Sequence, residues 1–311
     1  MTRYIIVRSF WTMVNLLLII TLLYFIIALV MNTIWFRVPL SDYLEPMVVS
    51  YFQYLKGIFT KWDWGTSLKN EPVWETLLLK MPYTLRINLV AFAIYTPLGL
   101  LLGIIAATNK NKLMDNFISG IIMLFSSLHS LILIFFLMVV FGYSLGWLPP
   151  IYPANNAPIN ARRLAYVIPI IALSLYPIAE IARVTRGELT EALDSQYMVL
   201  ARIKGLDKRQ LVVKHGLRNS LIPIMPLIIT TFVSVMMNSF FVERAYSIPG
   251  VASWFLRSLV TPNMDSFVLY IDPSVVLMIS AFYSALSLIF SLAIDILYCV
   301  IDPRIRMGSK K

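Results

Sequence analysis

Residues 183–218 read RVTRGELTEALDSQYMVLARIKGLDKRQLVVKHGLR. They stand between two apolar runs, 164–182 and 221–242, each of the roughly 17–25 residues that cross about 30 Å of hydrocarbon. Neighbouring helices need only a few residues to connect them, so a stretch this long has a structure of its own. Residues 187–200 read as helix. From Ser195 to Leu206 small, apolar and basic side chains mix, and Gly205 suits a helix C-cap. Asp207 suits the N-cap of a further helix. Two readings stay open on these residues. One is a short helix projecting from a membrane and presented to a soluble partner; the other is a basic loop held on the lipid surface.

Working outward, four more apolar runs of spanning length appear, at 9–34, 84–107, 117–141 and 274–300. Of the 311 residues, 59% are hydrophobic and 14% charged, against about 25% charged in soluble domains. The chain therefore reads as an all-α integral membrane protein with about six transmembrane helices, which satisfy their own backbone hydrogen bonds where lipid cannot. It is expected to be a single transmembrane domain over 1–311, with an outer loop at 35–82 and the inner loop at 183–218. Gly99 and Gly103 stand four apart and either admit a neighbouring helix closely or only fill space. Pro97, Pro169 and Pro177 suggest kinks. Arg3 and Arg8 precede a run too long for a signal-peptide core, and no small-residue cleavage site follows, so a retained helix is expected.

The inner loop carries Arg183, Arg186, Arg202, Lys204, Lys208, Arg209, Lys214 and Arg218. With Arg3, Arg8, Lys110, Lys112, Arg304, Arg306, Lys310 and Lys311 on the same side, sixteen of the 26 basic residues lie there. Basic residues mark the cytoplasmic side, so both termini are expected to be cytoplasmic. The net charge of +10 calls for no nucleic acid, because anionic lipid attracts basic residues beside span ends. Cys299 is the single cysteine and cannot form an internal disulfide; His129 and His215 lack ligand spacing. No metal site and no P-loop are expected, so ATP is not hydrolysed by this chain through that motif.

In the outer loop, residues 47–59 have near-helical apolar spacing and suggest a surface helix. The run Trp62-Asp63-Trp64-Gly65 fits either an interfacial aromatic belt or a partner contact. Residues 142–163, rich in proline, read as an irregular cover. Glu243 leads into Pro249-Gly250, a turn signal, after which 251–260 suits a short helix. Asp295 lies deep in the last span, where an unpaired charge costs several kcal/mol. It is expected to pair with a basic residue near the inner loop, within a charged set that includes Glu180, Arg183 and Arg186.

Several blocks together resemble one family. They are Ile181-Ala182-Arg183-Val184-Thr185-Arg186-Gly187, Ala201-Arg202-Ile203-Lys204-Gly205-Leu206 and His215-Gly216-Leu217-Arg218-Asn219-Ser220-Leu221-Ile222-Pro223. Trp64-Gly65-Thr66-Ser67, Glu243 through Gly250, Asp295-Ile296-Leu297-Tyr298 and Ile301-Asp302-Pro303-Arg304 complete the set. In this order they resemble the permease subunits of oligopeptide and dipeptide ABC importers, most of all the B-type subunit, over almost the whole chain. The resemblance implies a type I ABC importer permease fold and no cofactor in this chain. ATP and magnesium are expected on two cytoplasmic ATPase subunits or domains. A second homologous permease, an extracellular substrate-binding protein and a bacterial or archaeal cell membrane complete the implied setting. Tyr197, Ala201, Lys204, Gly205 and Leu206 are implied to form the ATPase-coupling helix, and Trp64, Gly65, Glu243, Pro249 and Gly250 an outer gate or receptor contact. The chain departs from the broad coupling motif at Val199 and Leu200, and from common family residues at His129 and Ala252. Altered local helix geometry is expected at the latter two. The family also carries nickel and metallophore complexes. A secondary transporter, a different class, would be expected to show internal repeats and paired intramembrane charges.

Overall fold

The computed structural model describes residues 2–33, 39–154, 157–259, 261–263 and 266–301. The Asp302-Pro303-Arg304 block, the basic tail and the start of the outer loop around Arg37 lie outside the described residues. In chain order the helices are α1 (Thr2–Met31), α2 (Leu40–Lys61), α3 (Val73–Thr108), α4 (Leu113–Ser127) and α5 (Ser130–Leu137). There follow α6 (Ile159–Leu164), α7 (Val167–Asp194), α8 (Gln196–Ile203), α9 (Lys208–Gln210), α10 (Leu217–Ala245), α11 (Val251–Leu259) and α12 (Pro273–Ile301). Two π-helical stretches, Met138–Ser144 and Leu211–Gly216, continue α5 and lead into α10.

Among the described residues, five helical segments are long and apolar enough to cross a membrane, and α4 with α5 and its π-helical extension makes the number six when that bent pair is counted as one span. That third span is not the single rod that 117–141 suggests. It bends by 95° at Leu128–His129. Both residues adopt extended backbone angles, and the His129 imidazole Nδ1 accepts from the backbone N–H of Leu131 at 3.3 Å, capping α5. The apolar run hides the break because its hydropathy is continuous across it. A second departure from an all-helical chain is an antiparallel hairpin of β1 (Thr261–Asn263) and β2 (Ser266–Tyr270). Strands this short leave little alternation for the sequence to display.

The contacts divide the chain into two units. One comprises Met1–Thr84 with Pro249–Leu292, the other Leu85–Ile248 with Ala293–Lys311. In the first, Ile27 of α1 clusters with Val276 and Leu277 of α12, flanked by Tyr24, Tyr54 and Phe255. Thr21 and Tyr51 share a hydroxyl hydrogen bond of 2.6 Å that ties α1 to α2. The outer-loop helix expected at 47–59 is the longer α2, with Met47, Tyr51 and Ile58 inward. In the second unit α7 is the hub, contacting α4, α5 and α10. Its buried residues include Ala172, Ile178, Ala179, Ala182, Thr185 and Leu189.

Candidate functional site

The site is built on α7. The small residues of α3 decide how closely the two helices approach. A Cβ on Gly99 would lie 2.8 Å from Cβ of Ile181, and one on Gly103 would lie 2.5 Å from Cβ of Thr185 and 2.7 Å from the Ala182 carbonyl. Real Cβ atoms do not come this near, so both glycines are contact residues and not filler. Ala106 then packs against Ala179 and Ala182, with Ile118 and Ile122 of α4 closing the cluster.

Near the inner end Arg186 finds its partner outside the expected charged set. Arg186 of α7 grips Asp115 of α4 with two parallel bonds, Nε to Oδ1 at 2.5 Å and Nη2 to Oδ2 at 2.8 Å. Asp115 is 1% exposed and also accepts from the Asn111 backbone N–H at 2.9 Å and the Ser119 hydroxyl at 3.4 Å. Bidentate pairs of this kind fix geometry as well as supplying energy. Arg186 therefore serves Asp115, and not Asp295 or Glu180. Asp295 is half-buried on α12, and Arg183 is exposed. Glu180 is half-buried and accepts from the Thr231 hydroxyl of α10 at 3.4 Å. Asp115 drew no attention in the sequence because its partner is 71 residues away. A second pair, Lys110 to Asp194 at 2.6 Å, joins the α3–α4 turn to the end of α7, in the open.

Beyond Asp194 the chain turns sharply. The helix expected across 187–200 is interrupted at Ser195, whose extended backbone and hydroxyl bond to the Ala192 carbonyl end α7. Met198 then bonds back to the Ser195 carbonyl, opening α8. At the other end Gly205 takes φ +82°, and Leu206 N–H reaches the Ala201 carbonyl at 3.4 Å, the Schellman closure that its glycine predicts. Asp207 caps the next turn as expected, its Oδ1 accepting from the Gln210 N–H at 2.6 Å.

This closure divides α8 into two faces. Met198 and Ala201 point inward onto Leu211, with Leu193 and Leu206 around them. Tyr197, Leu200 and Ile203 point outward and are 41%, 62% and 76% exposed. Val199 and Lys204 are also exposed. So the structure separates the coupling residues that the resemblance implies. Tyr197 and Lys204 are on the outside, Ala201 and Leu206 belong to the seat, and Gly205 is the cap. Leu200, noted in the sequence only as a departure from the motif, and Ile203, which was given no coupling role, are the most exposed apolar residues of α8. Their spacing of three from Tyr197 and from each other was the signal available. Leu189 and Val212 pack with Ala107 just above, so the seat continues into α3 and α10.

The outer candidates are mostly inward-facing. Trp64 is buried, edge-on to Trp62, and Trp62 is edge-on to Trp74. Trp62 is the half-exposed member. Gly65 N–H donates to Asp63 Oδ1 at 2.8 Å, and Leu68 N–H to Oδ2 of the buried Asp272 at 2.8 Å. Glu243 is fully buried in α10. The turn expected at Pro249-Gly250 begins earlier, at Ser247 with φ +59°, where Ile248 N–H bonds the Glu243 carbonyl at 2.9 Å. Pro249 and Gly250 lead straight into α11, whose first N–H donates to Thr84 Oγ1. Among the described residues no three His, Cys, Asp or Glu side chains lie close enough together to hold a metal.

Comparison with known proteins is consistent with this geometry. The family described as "Binding-protein-dependent transport system inner membrane component" matches residues 99–307. The dipeptide transport system permease protein DppB of Bacillus subtilis (strain 168) is 32% identical over the full length of both chains. DppB of Lactococcus lactis subsp. cremoris (strain MG1363) is 30% identical over 99% of this chain and all of its own. The oligopeptide transport system permease protein OppB of Escherichia coli (strain K12) is 31% identical over 84% of this chain and 81% of its own. Among solved structures, the MetNI methionine ABC transporter in an inward-facing form aligns with a TM-score of 0.57 at 17% identity, covering 75% of this chain and 99% of that one. An amino acid ABC transporter aligns at 0.55 and 16% identity, over 72% and 93%. These two show the fold, that of type I ABC transporter permeases. The matched stretch runs from Gly99 through the whole α7–α8 elbow into α12, and with full-length relatives beside it the chain belongs to the family of binding-protein-dependent transport system inner membrane components, as a multi-pass permease component of an ABC importer.

Proposed function

We propose that this permease imports peptides, with both termini cytoplasmic, as one of two homologous permease subunits around a shared path. Two cytoplasmic ATPase subunits, which carry ATP and magnesium, engage α8, and an extracellular binding protein delivers the peptide. The dipeptide and oligopeptide permeases among the relatives support the substrate class. The observation that carries the coupling role is α8 itself, an outward apolar face of Tyr197, Leu200 and Ile203 on a buried seat. Exposed apolar residues at i, i+3 and i+6 suit a helix laid into a groove. The seat makes α8 move with α7 and α10 as one body, so a push on α8 reaches the spans. Outer-gate or receptor-contact roles for Trp64, Gly65, Glu243, Pro249 and Gly250 belong to the same proposal.

Leu200→Asp with Ile203→Asp tests it without touching the seat. The double variant is expected to insert normally and to lose ATPase co-purification, with uptake down by about tenfold or more, as for interface anchors. Gly205→Asp is expected to leave insertion intact and uncouple ATP hydrolysis from uptake. Normal uptake and co-purification in the double variant would overturn the assignment of α8.

A further inference from the structure

A cavity of about 330 Å³ lies among α5, α7 and α10. Its polar lining includes His129 at the bend, Tyr176 and Glu180 one turn apart on α7, and Thr231, Ser234 and Asn238 on the middle of α10. Polar groups at this depth normally face a bundle interior or a water-filled path. Here His129, Tyr176 and Ser234 are exposed at the surface of this chain, and Glu180 is half-buried behind them. Among the described residues no cation lies within 4 Å of the Glu180 carboxylate, and Thr231 satisfies it only with a long bond of 3.4 Å. Arg183, three residues on along α7, is exposed and forms no ion pair with it, and Arg186 is committed to Asp115. A carboxylate kept within a span beside hydroxyl, amide and imidazole groups, with no built-in counter-charge, is arranged to receive a cation that arrives from outside the chain.

We propose that this cavity is a passage site for the amino end of the peptide, with Glu180 receiving the α-ammonium and Tyr176, Ser234 and Asn238 bonding the first peptide unit. The proposal rests on the peptide reading above. It follows from what peptides share. Every unmodified peptide has one α-ammonium and a first amide, whatever its side chains, so a site made of one carboxylate and a few adaptable polar groups reads no sequence. The volume fits this role: it is at the lower end of the roughly 300–1,000 Å³ of small-molecule pockets, enough for a peptide's end and not for a long chain. Pro177, which also lines the cavity, sits between Tyr176 and Glu180 and leaves the helix one backbone donor short there.

The test uses the complete importer in proteoliposomes, with its partner permease, ATPase subunits and binding protein, and radiolabelled alanyl-phenylalanine as probe. Glu180→Gln is expected to lower the dipeptide carried per ATP hydrolysed by about tenfold, the scale of one charge-assisted hydrogen bond. Glu180→Asp, which keeps the charge, is expected to recover much of that loss. In the wild-type complex, alanyl-benzoylphenylalanine is expected to photolabel residues of α7 or α10 around the cavity, in competition with alanyl-phenylalanine. This arm decides the matter even if Glu180→Gln fails to assemble. An unchanged ratio in Glu180→Gln, or label confined to other elements, overturns the site while leaving peptide import standing. A wild-type complex that carries no dipeptide overturns both the site and the peptide reading.

Discussion

The helices α1 and α7 are both membrane spans, and α1 belongs to the more apolar span of the two. Yet 61% of the most apolar stretch in the span Ile159–Asp194 is buried, against 11% in α1. In water the more apolar helix would be the more deeply packed. In lipid an apolar side chain gains little by exchanging hydrocarbon for protein, so packing follows other forces. Close backbone approach and polar pairs decide it. The span of α7 has both: Gly99 and Gly103 admit it at contact distance, and Asp115, Thr231 and Lys110 bond along its length. On α1 the ties include Thr21 to Tyr51, the Tyr43 hydroxyl to the Ala28 carbonyl, and the Tyr24 and Phe25 rings against Tyr51 and Tyr54, and none of them is a charge pair or a glycine contact.

Damage should then scale with close contact and pairing and not with lost apolarity. The largest effect is expected from Gly103→Leu, which drives a side chain into Thr185 and the Ala182 carbonyl. Overpacking there should cost about 3 kcal/mol, read as loss of monodisperse protein in mild detergent. Next comes Asp115→Ala. It leaves Arg186 without its carboxylate, a loss of 3–5 kcal/mol for a fully buried pair, and about 2 kcal/mol here because Arg186 is 37% exposed. A thermal melt of Asp115→Ala, Arg186→Ala and the double variant should show coupling between the two. Strictly additive losses would mean that the pair does not hold α4 to α7.

Smaller effects sharpen the other side. Lys110→Ala removes an ion pair whose members are 45% and 59% exposed, so about 0.5 kcal/mol is expected, vanishing in high salt. Leu22→Ala, on the exposed face of α1, should change stability by no more than about 0.5 kcal/mol in spite of the apolar surface removed. A loss from Leu22→Ala as large as that from Asp115→Ala would break the comparison, because it would make plain apolarity the source of packing.

The readable parts of the inner site were local. Gly205 was readable because φ +82° is a conformation glycine adopts without strain. Asp207 was readable because its partner is three residues on. The orientation of α8 was not readable. Its apolar residues surround the helix, and only the return of Leu206 and Leu211 over Met198 and Ala201 turns one face into a seat and leaves Leu200 and Ile203 outside. The bend in the third span was equally hidden, since Leu128 and His129 interrupt the backbone without interrupting the apolar run around them.

The membrane class, the apolar runs of spanning length and the caps at Gly205 and Asp207 came from sequence alone, because the energies behind them act along the chain or between a residue and its solvent. Hydrocarbon selects apolar runs of spanning length, and each cap is bonded within a few residues. The tertiary structure decided which faces are inside and which charges meet. Lipid and protein interior are nearly equal as solvents for an apolar side chain, so hydropathy cannot sort one from the other. The partner of Arg186, likewise, is set by the crossing of α4 and α7, which brings Asp115 within 2.5 Å across 71 residues of chain.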